Sequence, residues 1–397
     1  MQKLLIEMME TILEKKDLEK TFHFLDSEKI PLVKIENKNG LTFHFHPNGN
    51  LFCIKKGDLL INQSLGCPLA GSLTRLYLRD LKGGQSSLLN QSPGAVEFAR
   101  TENGVEWSGN FKEFEFVCSL HLSETENFWK WAIEVKNVSS KQAELDLFLA
   151  QDFGLAHQGA VRTNEAYTSH YLDHFALEDS DLGWLVCSRQ TQAQGEGSFP
   201  WALTGCLEGA SSYCTDGRDF YGNEFRMDRK PIALEQESLT NRVLQYEMAM
   251  AGIQNKPVLL APDQKEQFHF FTYFVEDHDQ PSSSKDLHYV GEVKKIIKDF
   301  VPASVVGRVD FAKNAYQTSE FLNGMELTDS EVRDHYPLDW KQEERNNQGL
   351  LSFFYRDSRH IVLPRKEVSV DRPHANMLAT IWGGDDAKRE CHVFHKL

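Results

Sequence analysis

The chain has 397 residues, 41% of them hydrophobic, which is enough for a large core and for more than one domain. Its 58 acidic against 43 basic residues give a net charge of −15, which argues against nucleic acid and anionic membrane as partners and fits a soluble protein handling a neutral ligand. The seven cysteines are odd in number and form no Cys-x-x-Cys pair, so neither a disulfide framework nor a zinc site is expected, and the expected location is the reducing cytoplasm.

Residues 1–20 read as an amphipathic helix, because Leu4, Leu5, Met8, Ile12 and Leu13 recur at three- and four-residue spacing. The segment carries charge throughout, so it does not read as a signal peptide, and no apolar run in the chain is long enough for a membrane span. From about residue 21 the period becomes two: Phe22 and Phe24, then Leu41, Phe43 and Phe45, alternate with polar neighbours. Asn39-Gly40 and Asn48-Gly49 read as hairpin turns, since Asn and Gly tolerate positive φ. Lys56-Gly57-Asp58 reads as a third turn, between strands 51–54 and 59–61. Strands are expected at 105–107, 114–122, 128–135, 143–149, 184–187, 202–207, 244–249 and 267–275. Many short strands with few helix signals predict a mainly β fold, a large antiparallel sandwich over 21–285, with 26 phenylalanines to fill the space between its sheets.

The run Asp-Gln-Pro-Ser-Ser-Ser at 279–284 marks a linker. After it a helix is predicted over 286–300, with Leu287, Val290, Val293, Ile296 and Ile297 on one stripe. Residues 286–325 are read as a helical linker and 326–397 as a charged segment with short strands. Within the latter, 325–347 holds Asp334-His335-Tyr336-Pro337 as a surface segment or lid, and strands are expected at 350–355 and 360–364.

The most informative stretch is 150–174. Gly154 and Gly159 interrupt it, and then Arg162, Asn164, Glu165, Tyr167, His170, Tyr171 and Asp173 crowd into twelve residues. Amide, guanidinium and carboxylate groups beside tyrosines suit a sugar, whose hydroxyls need donors and acceptors and whose C–H faces pack on rings. The plainer alternative is a β-bulge and a long loop with satisfied polar side chains. Two further polar and aromatic clusters stand at Ser188-Arg189-Gln190 with Phe199-Pro200-Trp201, and at 215–222. Three such loops on one sheet scaffold would make a sugar-binding rim.

Other chemistries find little support. No phosphate-cradling or dinucleotide glycine motif opens a helix, and no Gly-x-Ser-x-Gly elbow occurs. His44 and His46, two apart on a strand, read as solvent-facing histidines. His170 and His174, four apart, lack the other ligands a metal needs. Asp152, Glu165 and Asp173 contain enough carboxyls for a glycosidase pair, but structural hydrogen bonding is the simpler account.

Taken together, 150–173, 188–190 with Pro200-Trp201, and 215–222 resemble the amino-terminal part of glycoside hydrolase family 94, in its 1,2-β-oligoglucan phosphorylase and cyclic β-1,2-glucan synthase branches. Residues 274–278 and 350–372 add support. The resemblance implies a galactose-mutarotase-like super-β-sandwich, a helical linker and an (α/α)6 barrel. In the barrel an aspartic acid protonates the glycosidic oxygen while inorganic phosphate, a co-substrate, attacks with inversion to give glucose 1-phosphate. It implies no further cofactor and no metal, a β-linked glucose oligosaccharide as ligand, and a homodimer in which a sandwich loop (here 162–170) approaches the partner's site. The chain reaches Leu397 about where the barrel is expected to begin, so a truncation is expected, with the chain alone inactive and no catalytic residue assigned to it. Expected sugar contacts are Arg162, Asn164, Glu165, Tyr167 and His170, then Arg189, Gln190 and Trp201, with Trp201 stacking on a pyranose face. The rival readings are a stand-alone epimerase-like or sugar-binding sandwich, with His170 and Glu165 or Asp152 as its acid–base pair, and a scaffold with no ligand site.

Overall fold

Alternation becomes strand almost throughout the computed structural model. It describes residues 32–298 apart from 47, 68–70, 92–96, 226–228 and 246, and beyond them 305–308, 320–322, 328–347, 349–355, 359–362, 368–370 and 394–396. The expected helix at 1–20, the strand of Phe22 and Phe24, and the region after 370 other than 394–396 lie outside the described residues. The chain divides into two units, Leu32–Ala312, and Met1–Pro31 with Lys313–Leu397.

In the larger unit, β1 (Val33–Glu36), β2 (Leu41–Phe45), β3 (Leu51–Lys56) and β4 (Leu59–Leu60) pair antiparallel in sequence order. Gly49 lies in the turn before β3 at φ +83°, and a Cβ there would meet Trp107 Nε1 at 2.7 Å. The Asn48-Gly49 turn therefore requires glycine both for its backbone and for the approach of the indole. Then follow β5 (Arg75–Asp80), β6 (Gln85–Leu88), β7 (Glu97–Thr101), β8 (Gly104–Phe111), β9 (Phe114–Leu122), β10 (Phe128–Asn137) and β11 (Ala143–Asp152). The next strands are β12 (Ala156–His157), β13 (Leu172–Asp179), β14 (Gly183–Gln190), β15 (Trp201–Cys206), β16 (Ala210–Asp216), β17 (Ala249–Asn255), β18 (Val258–Leu260), β19 (Lys265–Val275) and β20 (Val305–Arg308). β12 joins the small sheet beside β4. The others form one large sheet in the order β20-β7-β8-β9-β10-β19-β15-β14-β16-β17-β11-β5-β6, with β13 on β14 and β18 on β11. Its pairings are antiparallel except at Gly183 and Ala210. The fold is the mainly β, antiparallel sandwich that the alternation predicts.

Burial follows the pleat. On β10, Trp129, Trp131, Ile133 and Val135 are buried, while Lys130, Ala132, Glu134 and Lys136 between them are half-buried. The buried face meets the small sheet through rings: Trp107 packs on Phe45, Phe98 and Trp131 at centroid distances of 5.6, 5.3 and 5.8 Å. β11 is instead buried on both faces. Leu145, Leu147 and Leu149 enter this core, and Phe148 and Ala150 enter a second one with Phe220 and Leu234. Asp146 on β11 stands opposite Arg79 on β5 and binds it through both oxygens, Nε–Oδ1 at 2.9 Å and Nη2–Oδ2 at 2.6 Å. Gln254 donates a further bond to Asp146, at 2.8 Å, so this buried carboxylate is matched in charge and hydrogen bonds.

Two expected boundaries shift. The strand expected at 244–249 begins only at Ala249, because the Thr215 hydroxyl takes both the N–H and the C=O of Leu244 at 2.7 Å. The helix expected over 286–300 is a turn at Ser284–Leu287, capped by Ser283, followed by an α-helix, His288–Lys298. Val290 and Val293 of that helix bury in one cluster with Leu185, Leu203 and Phe271.

In the smaller unit the expected surface segment or lid is a capped helix, Asp329–His335, and a strand, Trp340–Asn346. That strand pairs with Gly349–Tyr355, which pairs with Arg359–Val362. Trp340 stacks on Phe353 at 3.9 Å beneath the guanidinium of Arg333.

Candidate functional site

The ladder registers bring the three polar and aromatic stretches to one end of the large sheet. Asp152 pairs with Met250, Asp216 with Ala249, Arg189 with Trp201, and Trp201 with Val275. The segments that leave β11, β14, β16 and β19 therefore emerge side by side.

After β11 the chain makes two short helices where the sequence suggested loop: α1 (Gln158–Thr163) and α2 (Glu165–Ser169). His157 Nδ1 caps α1 by accepting from Gly159 N at 3.1 Å, and Asn164 Oδ1 caps α2 by accepting from Tyr167 N at 2.9 Å. Gly154 allows the entry, because a Cβ there would lie 2.9 Å from Asn62 O. Arg162, Asn164, Glu165, Tyr167 and His170 are all exposed on this hairpin, Tyr167 by 54%. Tyr167 and Tyr171 join hydroxyls at 2.6 Å with their rings edge to face at 5.2 Å. That hydrogen bond raises the Tyr171 pKa.

The hairpin is fastened from below by bonds that sequence reading missed. Gln63 Nε2 donates to Glu165 O at 3.0 Å and to Glu247 O at 2.6 Å, and Gln245 Nε2 donates to His170 O at 2.8 Å. Gln194 Oε1 accepts from His157 N, and Thr191 N donates to Tyr171 O. These partners lie tens of residues from the hairpin, so no local pattern announces them.

Arg189, Gln190 and Trp201 are buried, not on the rim with the hairpin, and this corrects the expected stack of Trp201 on a sugar. Trp201 has no exposed surface, its Nε1 donates to Ser282 Oγ at 3.0 Å, and its ring meets His278 at 5.0 Å and Tyr289 at 4.7 Å. Arg189 donates to His278 O at 2.7 Å and covers the Phe199 ring. Gln190 Nε2 donates to Gly154 O and its Oε1 accepts from Gln192 N. These residues fasten segments together beneath the surface.

Asp152 is also structural. One carboxylate oxygen accepts from Gln63 N and Ser64 N at 3.0 and 2.9 Å, and the other from Thr74 Oγ1 at 2.7 Å. Burial pushes its pKa up and these hydrogen bonds oppose the shift. With its lone pairs engaged below the surface it is not placed as an acid–base partner for His170. His170 and His174 do not share a helix: His170 caps α2, while His174 lies buried on β13 with Nδ1 2.9 Å from Ser188 Oγ. Burial alone lowers the His174 pKa to about 4. His46, read from the sequence as solvent-facing, is buried, with Nε2 3.1 Å from Gly66 O and its ring against Phe52. Among the described residues no three His, Cys, Asp or Glu side chains converge to hold a metal, and six cysteines are free thiols.

The sequence model of the SOGP N-terminal domain family matches residues 44–272, more than half of the chain. The chain belongs to that family. The model of the glycoside phosphorylase supersandwich domain matches residues 336–394 of this SOGP N-terminal domain chain. A 1,2-beta-oligoglucan phosphorylase of Listeria innocua is 32% identical over 347 residues, covering 87% of this chain and 30% of that protein. The chain thus spans about 30% of the length of that curated relative. The resemblance to the amino-terminal part of a family 94 enzyme is met. Among solved structures, a polysaccharide lyase aligns with a TM-score of 0.38 at 10% identity, over 63% of this chain and 33% of that one. A galactose 1-epimerase of Lactobacillus acidophilus aligns with a TM-score of 0.36 at 13% identity, over 62% and 95%. No helix among the described residues is long and apolar enough to cross a membrane.

Proposed function

We propose that this chain supplies the carbohydrate-contacting sandwich of an inverting β-1,2-glucan phosphorylase and takes no direct part in breaking the glycosidic bond. One observation carries the reading: in an SOGP N-terminal domain, the α1–α2 hairpin holds Arg162, Asn164, Glu165, Tyr167 and His170 in solvent on a base fastened by Gln63, Gln245 and Thr191. The Tyr167 ring offers a face to pyranose C–H groups, and Arg162 and Glu165 offer donors and acceptors to hydroxyls. A preorganised surface of this kind binds at low entropic cost. In this reading inorganic phosphate is the co-substrate and glucose 1-phosphate the product of the whole enzyme. The enzyme works in the cytoplasm as a homodimer, and the hairpin approaches the oligosaccharide held by its partner.

Calorimetric titration of the chain with β-1,2-linked glucose oligomers, against β-1,4-linked oligomers, tests it. Linkage-selective binding that weakens about tenfold or more in Tyr167→Ala is expected. A folded chain that takes up neither series, or both equally, overturns the carbohydrate role. Sedimentation at micromolar concentration tests the dimer, and a monomer there overturns that part.

A further inference from the structure

A cavity of about 470 Å³ opens at the same end of the sheet, between residues 64–67 and 71–75, the helix after β16 and the approach to β17. Its volume is in the range of small-molecule sites, about 300–1,000 Å³. Among the described residues, the charged ones that line it are Arg75, Arg218, Arg229 and Glu247, three guanidiniums against one carboxylate in a chain of net charge −15. Tyr221 and Phe225 add an aromatic wall.

Each arginine is placed differently. Arg75 is buried, donates from Nε to Ser72 O at 2.7 Å, and lies over the Phe225 ring at 4.9 Å. Arg218 is exposed, follows the Asp216 cap of the helix Gly217–Tyr221, and donates from Nε to Asn223 Oδ1 at 2.8 Å. Arg229 is exposed and holds φ at +61°, a left-handed backbone that arginine seldom adopts. Neither Arg218 nor Arg229 forms an ion pair among the described residues, although exposed acids are plentiful in this chain. The Tyr221 hydroxyl is committed to Leu73 O, so what the wall presents is ring surface. Guanidinium forks match the geometry of phosphate oxygens, and charge-assisted bonds gain strength where solvent is partly excluded.

We propose that this cavity binds a sugar phosphate, with the phosphoryl group at Arg75, Arg218 and Arg229 and the sugar ring against Tyr221 and Phe225. The anionic half of the ligand follows from the arginines alone, while the sugar half rests on the phosphorylase reading above. The site is separate from the hairpin, whose five exposed side chains do not line the cavity.

The test titrates the full chain with α-glucose 1-phosphate, inorganic phosphate and glucose, and repeats the series on Arg218→Ala/Arg229→Ala, two exposed positions whose loss leaves the core intact. The expected result is α-glucose 1-phosphate binding about tenfold or more tighter than phosphate or glucose, and about tenfold or more weaker in the double variant. Tyr167→Ala, altered only on the hairpin, keeps that affinity. No binding of α-glucose 1-phosphate to a folded chain, or equal binding by the double variant, overturns the site. Equal affinities for phosphate and α-glucose 1-phosphate overturn its sugar half, and glucose binding as well as α-glucose 1-phosphate overturns its anionic half. Neutral oligoglucan binding to the double variant is read in parallel, so failure of the hairpin and failure of the cavity give different patterns.

Discussion

The hairpin at 158–171 and the strand ends at 188–201 have the same kinds of residue and opposite fates. Both mix arginine, amide and aromatic side chains near a glycine or proline. On the hairpin these groups stand in solvent, and their backbone is tied down from beneath. At the ends of β14 and β15 they are the ties: Trp201 is sealed between His278 and Tyr289, and Arg189 bonds the carbonyl of His278. Polar and aromatic composition thus marks an end of the sheet where backbone must be fastened. Which side chains fasten and which face solvent is decided by what each segment packs against.

The sharpest way to break this comparison is Trp201→Ala. If Trp201 is a core post, its loss costs about 3–5 kcal/mol of stability in urea denaturation, as for other buried tryptophans. A loss near zero, with weakened oligosaccharide binding instead, would return Trp201 to the surface role first expected of it. The next largest effect is on pH. Burial holds His174 at about 4 in the folded chain, against 6.5 when exposed. A base with a depressed folded pKa contributes stability that is present above pH 6.5 and lost as pH falls through 4. The wild type should lose roughly 3 kcal/mol through His174 across that window, beside the losses from His44 and His121, which burial also brings to about 4. His174→Gln should flatten the acid slope by that share, and an unchanged slope would mean His174 is solvated.

How much of this was legible follows from what carries each feature. Phe114–Leu122 was read with its boundaries, since the period of two is written in adjacent residues. The Asn48-Gly49 turn was equally local. The α1–α2 hairpin was not read as helix, because each helix is one turn or so and rests on caps from His157 and Asn164 rather than on periodicity. The burial of Trp201 and His46 depends on partners at 278–289 and at 52–66, which spacing cannot reveal. The five exposed hairpin residues stand out by crowding, and so does Arg218 within 215–222, but its meeting with Arg75 and Arg229 does not, because the three are more than a hundred residues apart at the extremes.

Two smaller changes sharpen the comparison from the hairpin side. Gln63→Ala removes the donor shared by Glu165 O and Glu247 O but also deletes a buried Oε1 that has no partner among the described residues, so the net cost is about 1 kcal/mol. Amide exchange over 158–171 should quicken while β9 and β10 keep their protection; uniform quickening would mean the hairpin is part of the global core. Tyr167→Ala should move stability least, keeping the melting temperature within about 2 °C, because the ring is more than half exposed and among the described residues its hydroxyl meets only Tyr171. Its effect belongs to binding. A hairpin built to display side chains can lose one without unfolding, whereas the β14–β15 ends cannot lose Trp201. Equal drops in melting temperature for Tyr167→Ala and Trp201→Ala would therefore erase the distinction between display and fastening on which the carbohydrate reading of the hairpin depends.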